Sequence, residues 1–118
     1  GKRWQDYFCW RIEKRNEITV IWSIPAKQDL KKIYDYIARD SKYYAEKVSQ
    51  DILERSEKLN EFPEIGRIVP EIGEVNIREV IVYSYRLIYE ISSDKIEVLA
   101  LIHCKQDFSP ETFKIVET

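Results

Sequence analysis

The stretch Ile77-Arg78-Glu79-Val80-Ile81-Val82-Tyr83-Ser84-Tyr85-Arg86-Leu87-Ile88-Tyr89-Glu90-Ile91 decides the fold. It reads as two strands, Ile77 to Tyr83 and Tyr85 to Ile91, rich in the β-branched and aromatic residues that suit a pleated, half-buried surface. Ser84 leaves room only for a very tight link between them, or for a bulged continuous ribbon. Side chains alternate along a strand, so Leu87 shares one face with Tyr85 and Tyr89, while Arg86 shares the other with Ile88 and Glu90. A third strand, Ile96 to His103, follows across the turn Ser92-Ser93-Asp94-Lys95.

Upstream of this meander the period changes. Phe62 to Asn76 holds Pro63, Pro70, Gly66 and Gly73 and reads as an irregular connection. Before it, Ala26, Leu30, Ile33 and Ile37 keep helical spacing, as do Ala45, Val48, Ile52 and Leu59 out to about Asn60. Asp40 or Ser41 caps the second of these helices, and so short a link predicts an antiparallel helical hairpin. Ile18 to Trp22 alternates Ile18, Val20 and Trp22 and reads as one more strand. Strand, two helices and a strand meander together predict an α+β fold, an antiparallel sheet of about four strands with the hairpin on one face. Ser109-Pro110-Glu111 predicts a short terminal helix to about Val116, although Ile115-Val116 could equally extend a strand. Residues 1–17 form a separate extension before a single domain over 18–118. In it Trp4, Tyr7, Phe8 and Ile12 suit one helical face between Lys2-Arg3 and Lys14-Arg15, which reads as an added helix packed on the domain, as a partner-docking arm or as an exposed self-association surface.

The chain has 118 residues, enough for one core and not two. Its 19 Lys and Arg against 21 Asp and Glu give a net charge of -2, which argues against a general polyanion binder. No apolar run approaches a membrane span, and the N-terminus lacks the apolar core of a secretory leader. Two cysteines, Cys9 and Cys104, and one histidine make neither a disulfide framework nor a zinc site. A cytoplasmic protein with no metal or cofactor is expected. No phosphate loop, nucleophile elbow or paired-carboxylate motif is present.

What remains is a scatter of cations: Arg67 on the Pro-bounded loop, Arg78 and Arg86 on strands, and His103 and Lys105 at the end of the last strand. Gathered on one face, they would form a small positive patch able to cleave RNA without metal. Arg86 and Arg78 would hold the scissile phosphate, and His103 or Lys105 would move protons. Each also has a structural reading: Arg86 between carboxylates as an ion pair, Arg78 and the lone His103 as structural residues, and Lys105 and Arg67 as plain surface.

Several segments, in order, resemble the RelE/ParE family of toxins from toxin–antitoxin modules. They are Pro25-Ala26-Lys27-Gln28-Asp29-Leu30 with Ile33, Tyr36-Ile37 and Asp40; Leu59 with Phe62-Pro63-Glu64-Ile65-Gly66-Arg67 and Pro70-Glu71; Arg78-Glu79-Val80; Tyr85-Arg86-Leu87-Ile88-Tyr89-Glu90; and Ile96 to His103. The resemblance covers about Ile18 to Phe108. It implies a growth-inhibitory toxin of a type II module, wrapped by a cognate antitoxin and meeting operator DNA only through it. The target it implies is DNA gyrase in the ParE-like, plasmid-stabilisation-like branch, or the ribosome with its mRNA in the RelE-like branch. A homologue that only binds its antitoxin is the third possibility. The wording is closer to ParE. Cys104-Lys105-Gln106 stands where many members carry Gly and two basic residues, and the chain is acidic where the nuclease branch is basic. Gyrase inhibition is therefore the favoured expectation, with Arg67, Arg78 and Arg86 as target-binding residues.

Overall fold

The computed structural model describes residues 18–106. The extension over residues 1–17 and the helix expected from Pro110 lie outside the described residues. Strand β1 is Thr19–Trp22, followed by helices α1, Ile24–Ala38, and α2, Lys42–Glu57. Strands β2, Arg67–Ile68, β3, Ile77–Val82, β4, Tyr85–Ile91, and β5, Lys95–His103, complete the order. They form one five-stranded sheet, β1-β5-β4-β3-β2. Only β1–β5 is parallel, and the other pairs are antiparallel.

The architecture is the expected α+β one, with a strand more than the sequence shows. β2 is two residues long and lies inside the stretch read as an irregular connection, where Arg67 pairs with Glu79 and Ile68 with Arg78. Two residues display no period, so alternation cannot reveal such a strand. The link between β3 and β4 is a hairpin rather than a ribbon. Val82 pairs with Tyr85, leaving Tyr83-Ser84 as a two-residue loop in which Tyr83 takes φ 56°. A positive φ at the first loop position is what the primed hairpin turns require.

Each helix begins at a serine. The Ser23 hydroxyl accepts from the Ala26 N–H at 3.2 Å, and Ser41 does the same for Tyr44 at 3.1 Å, satisfying donors that a helix start leaves open. Pro25 lies in the first turn of α1, where a missing N–H costs nothing. The apolar faces of α1 and α2 meet one face of the sheet. Ala26, Ile33, Val48 and Ile52 pack there on Val80, Val82, Leu87, Tyr89, Ile96 and Val98. A fully buried side chain such as Leu87 contributes about 1.5–3 kcal/mol through burial alone.

The second face is not bare. Val69 and Ile72, on the loop after β2, close over Ile77, Ile88, Ala100 and Ile102. Burial on both faces explains why β4 reads as a largely apolar run, interrupted by Arg86 and, near its end, by Glu90. Opposite Ile88 and Tyr89 the register of β5 skips Leu99, a bulge. β1 ends opposite Val98, so the β5 backbone beyond it has no strand partner on that side among the described residues. Helix α1 takes its place: Ser23 Oγ donates to the Leu99 carbonyl, and Leu101 N–H donates to Asp29 at 3.1 Å. That burial raises the Asp29 carboxyl above its ordinary range, against the lowering effect of the Leu101 N–H. No helix among the described residues is long and apolar enough to cross a membrane.

Candidate functional site

Alternation along β3 and β4, with the register fixed by the two-residue loop, sorts the charged side chains onto faces. Glu79 pairs with Ile88 and Arg86 with Ile81, so Glu79 and Arg86 are diagonal neighbours on the face away from the helices. Arg67 pairs with Glu79 and shares that face.

The three side chains join with Glu71 in a continuous network. Arg86 Nε donates to Glu79 Oε1 at 2.6 Å, and its two terminal nitrogens donate to Glu71, Nη2 to Oε1 at 2.7 Å and Nη1 to Oε2 at 3.0 Å. Arg67 Nε donates to the other oxygen of Glu79 at 2.5 Å. Planar guanidinium and carboxylate match in this forked geometry, which an ammonium cannot reproduce. The Glu79 side chain has no exposed surface and that of Arg86 is 9% exposed, whereas Glu71 and Arg67 are open to solvent at 37% and 66%. Buried charge is tolerable because each group has a counter-charge. The hydrogen bonds from Arg86 are the largest influence holding the Glu71 carboxyl below its ordinary range, and those carboxylates raise Arg86 in turn. Two cations and two anions cancel, so the cluster offers little net field to an incoming anion.

The other cations expected at the site are elsewhere. Arg78 pairs with Tyr89, which places it on the helix-side face, where it staples the preceding loop. Its Nη1 donates to the Gly66 carbonyl at 2.9 Å and its Nε to the Val75 carbonyl at 3.0 Å. Tyr89 fastens the same loop, accepting from Gly66 N–H at 3.0 Å and donating to the Pro63 carbonyl at 2.7 Å. His103 pairs with Tyr85, again on the helix side, its ring edge-on to the tyrosine at 5.5 Å between centroids. The His103 Nδ1 accepts the Lys105 backbone N–H at 3.1 Å, which puts any ring proton of the neutral imidazole on Nε2. The Lys105 side chain is in solvent. Arg67 and Arg86 therefore converge on one carboxylate, while Arg78, His103 and Lys105 do not join them.

Two features escape a reading by residue type. Glu79 and Glu71 are the partners that neutralise the arginines, and Glu79 becomes visible from sequence once Tyr83-Ser84 is taken as a two-residue loop. The second is an aromatic surface where the helix link meets the β3–β4 hairpin. Tyr44 and Tyr83 make an edge-to-face pair at 6.4 Å, and Tyr85 stands beside His103. Tyr36, with Arg39 over its ring at 5.9 Å, is 67% exposed. The Tyr83 hydroxyl donates to Asp51, a bond that pushes its phenol up to about 12. No group of three or more His, Cys, Asp or Glu side chains able to hold a metal occurs among the described residues.

The fold has counterparts among known proteins. The chain is similar in structure to the chromosomal ParDE system of P. aeruginosa, with a TM-score of 0.63 and 22% identity over 75% of this chain and 97% of that one. It is similar also to the RelBE2 toxin–antitoxin complex of Mycobacterium tuberculosis, with a TM-score of 0.54 and 21% identity over 74% of this chain and 91% of that one. At these identities the likeness is one of fold. No curated protein matches the chain in sequence. The family model described as the ParE toxin of the type II toxin–antitoxin system, parDE, matches residues 20–108, and this chain belongs to that family.

Proposed function

We propose that this toxin, held inactive by a cognate antitoxin, arrests growth by binding DNA gyrase and not by cutting mRNA on the ribosome. The observation that carries this reading is the state of Arg86. Cleaving RNA without metal needs a base for the 2′-hydroxyl, positive charge at the crowded phosphorane and an acid for the leaving oxygen. Here the central guanidinium is nine-tenths buried and bonded through Nε and both terminal nitrogens to Glu79 and Glu71. The one imidazole lies on the opposite face of the sheet, so a phosphate at Arg86 is out of reach of His103. The exposed tyrosines and Arg39 suit the alternative, because Tyr and Arg are enriched where one protein docks on another.

The antitoxin follows from family membership and from the paired systems in which the structural relatives occur. The test is direct. Purified protein is added to a gyrase supercoiling reaction and, separately, to a translating extract in which message is mapped by primer extension. Arrested supercoiling with intact message is expected, and antitoxin should reverse it. Cuts in register with codons, lost in Arg86→Ala of demonstrated fold, would sink the proposal. Undisturbed growth on induction without antitoxin would overturn every toxic reading.

A further inference from the structure

On the side of the domain where β1 begins, an open trough runs beside Ile18 and passes Glu54, Glu57 and Glu61. It shares Glu61 with a second, largely apolar trough of about 550 Å³ floored by Phe62, Pro63, Ile65 and Ile91, with Glu64 on its rim. Phe62 and Ile65 are 63% and 62% exposed, yet the loop that bears them is tightly held by Tyr89 and Arg78. The apolar side chains are thus presented on a fixed support. Among the described residues, Glu54, Glu57, Glu61 and Glu64 form no side-chain ion pair and Lys58 is the one cation lining the double trough.

A matching occupant needs aromatic anchors and an excess of cations. Residues 1–17 of this chain have both: Trp4, Tyr7, Phe8 and Trp10, with Lys2, Arg3, Arg11, Lys14 and Arg15 against Asp6, Glu13 and Glu17. They join the domain at Ile18, which itself lines the trough. A tethered segment meets such a surface at an effective concentration on the order of millimolar, without the translational loss a separate partner bears. We infer that the double trough from Ile18 to Ile65 is the docking site for residues 1–17 of the same chain, the cations of that segment against the four glutamates and its aromatic side chains on Phe62, Ile65 and Ile91.

The experiment uses the full chain with Cys104→Ser and a nitroxide on Cys9. Amide signals from Glu54 to Lys58 and from Glu61 to Ile65 are expected to lose most of their intensity, recovering when the label is reduced. Those of Asp40, Ser41 and Lys42, at the other end of the helical hairpin, should keep theirs. Adding Glu57→Lys and Glu61→Lys together should restore the bleached signals while the rest of the spectrum stays folded. Uniform spectra with and without the label, or bleaching centred on another surface, would overturn the inference. So would bleaching of an unlabelled, isotope-enriched chain mixed with the nitroxide chain, which would make the occupant a second copy.

Discussion

Replacing Arg86 with alanine removes the guanidinium that joins Glu79 to Glu71, and the consequences for the two carboxylates differ. Glu71 is over a third exposed and simply returns to water, so its share is small, about 0–1 kcal/mol. Glu79 has no exposed surface and keeps only Arg67, whose own side chain is largely in solvent. Leaving a buried charge short of its partner costs about 3–5 kcal/mol, a fifth or more of the 5–15 kcal/mol that holds an ordinary domain folded. Arg86→Ala is therefore expected to lose about 3–5 kcal/mol in urea unfolding followed by tryptophan fluorescence and far-ultraviolet circular dichroism. Glu71→Ala should lose no more than about 1 kcal/mol. Because the penalty belongs to the stranded carboxylate, the double variant Arg86→Leu/Glu79→Leu should recover most of it. A loss below about 1 kcal/mol in Arg86→Ala, or a double variant no better than the single, would refute the reasoning. The result bears on function too, since loss of toxicity in Arg86→Ala counts as evidence of chemistry only in molecules shown to be folded.

Gly66→Ala should be destabilising by about 1–3 kcal/mol in the same assay, because a Cβ there would lie 2.5 Å from the Glu79 carbonyl oxygen and 2.7 Å from the Tyr89 hydroxyl. Ser49→Ala should be neutral or stabilising by up to about 1 kcal/mol, since its buried hydroxyl has no hydrogen-bond partner among the described residues and alanine is the better helix former. Two carboxylates predict opposite pH dependences, read from unfolding between about pH 3 and pH 7. The lowered Glu71 contributes stability that is complete above the ordinary carboxylate range and is lost as pH falls through its folded value, so Glu71→Gln should soften the acid side of the profile. The raised Asp29 favours the folded state while protonated, and that advantage fades as pH rises from its ordinary value through the raised one. Asp29→Asn, which keeps an acceptor for Leu101 N–H, should gain stability at neutral pH and lose little at acid pH; a loss at neutral pH would contradict this.

Much of the fold is written in periods that survive burial. The three-four spacing of Ala26, Leu30, Ile33 and Ile37, and the dyad alternation around Leu87 and Tyr89, are direct images of which faces meet the core. β2 left no such image because it is too short to have one. The face assigned to Arg86 was legible for the same reason as the strand that bears it. Its neighbours were not, since a one-residue change in register moves every side chain of a strand to the other face. Tyr83 is a non-glycine residue in a left-handed conformation, so the loop that fixes the register lacks the Asn-Gly or Asp-Gly pair that would announce it. Arg78 and Glu79 are adjacent in sequence and therefore on opposite faces, and only the register says which of them meets Arg86.

The lone parallel pairing has a consequence for how the molecule comes into being. Ser23 hydrogen-bonds to Leu99, 76 residues further on, and β1 finds its partner only in β5. As the chain leaves the ribosome, β1 and both helices emerge with no sheet to lie on, whereas β3, β4 and β5 assemble through short loops as soon as they appear. Closing so large a loop adds little in free energy, because the entropy grows only as the logarithm of length, but it delays the docking of β1 until β5 has been made. The nascent toxin stays unfinished until β5 has cleared the exit tunnel, which leaves an interval for capture before it is complete. Release of stalled chains of increasing length would show this as protease resistance that appears only once Val98 is outside.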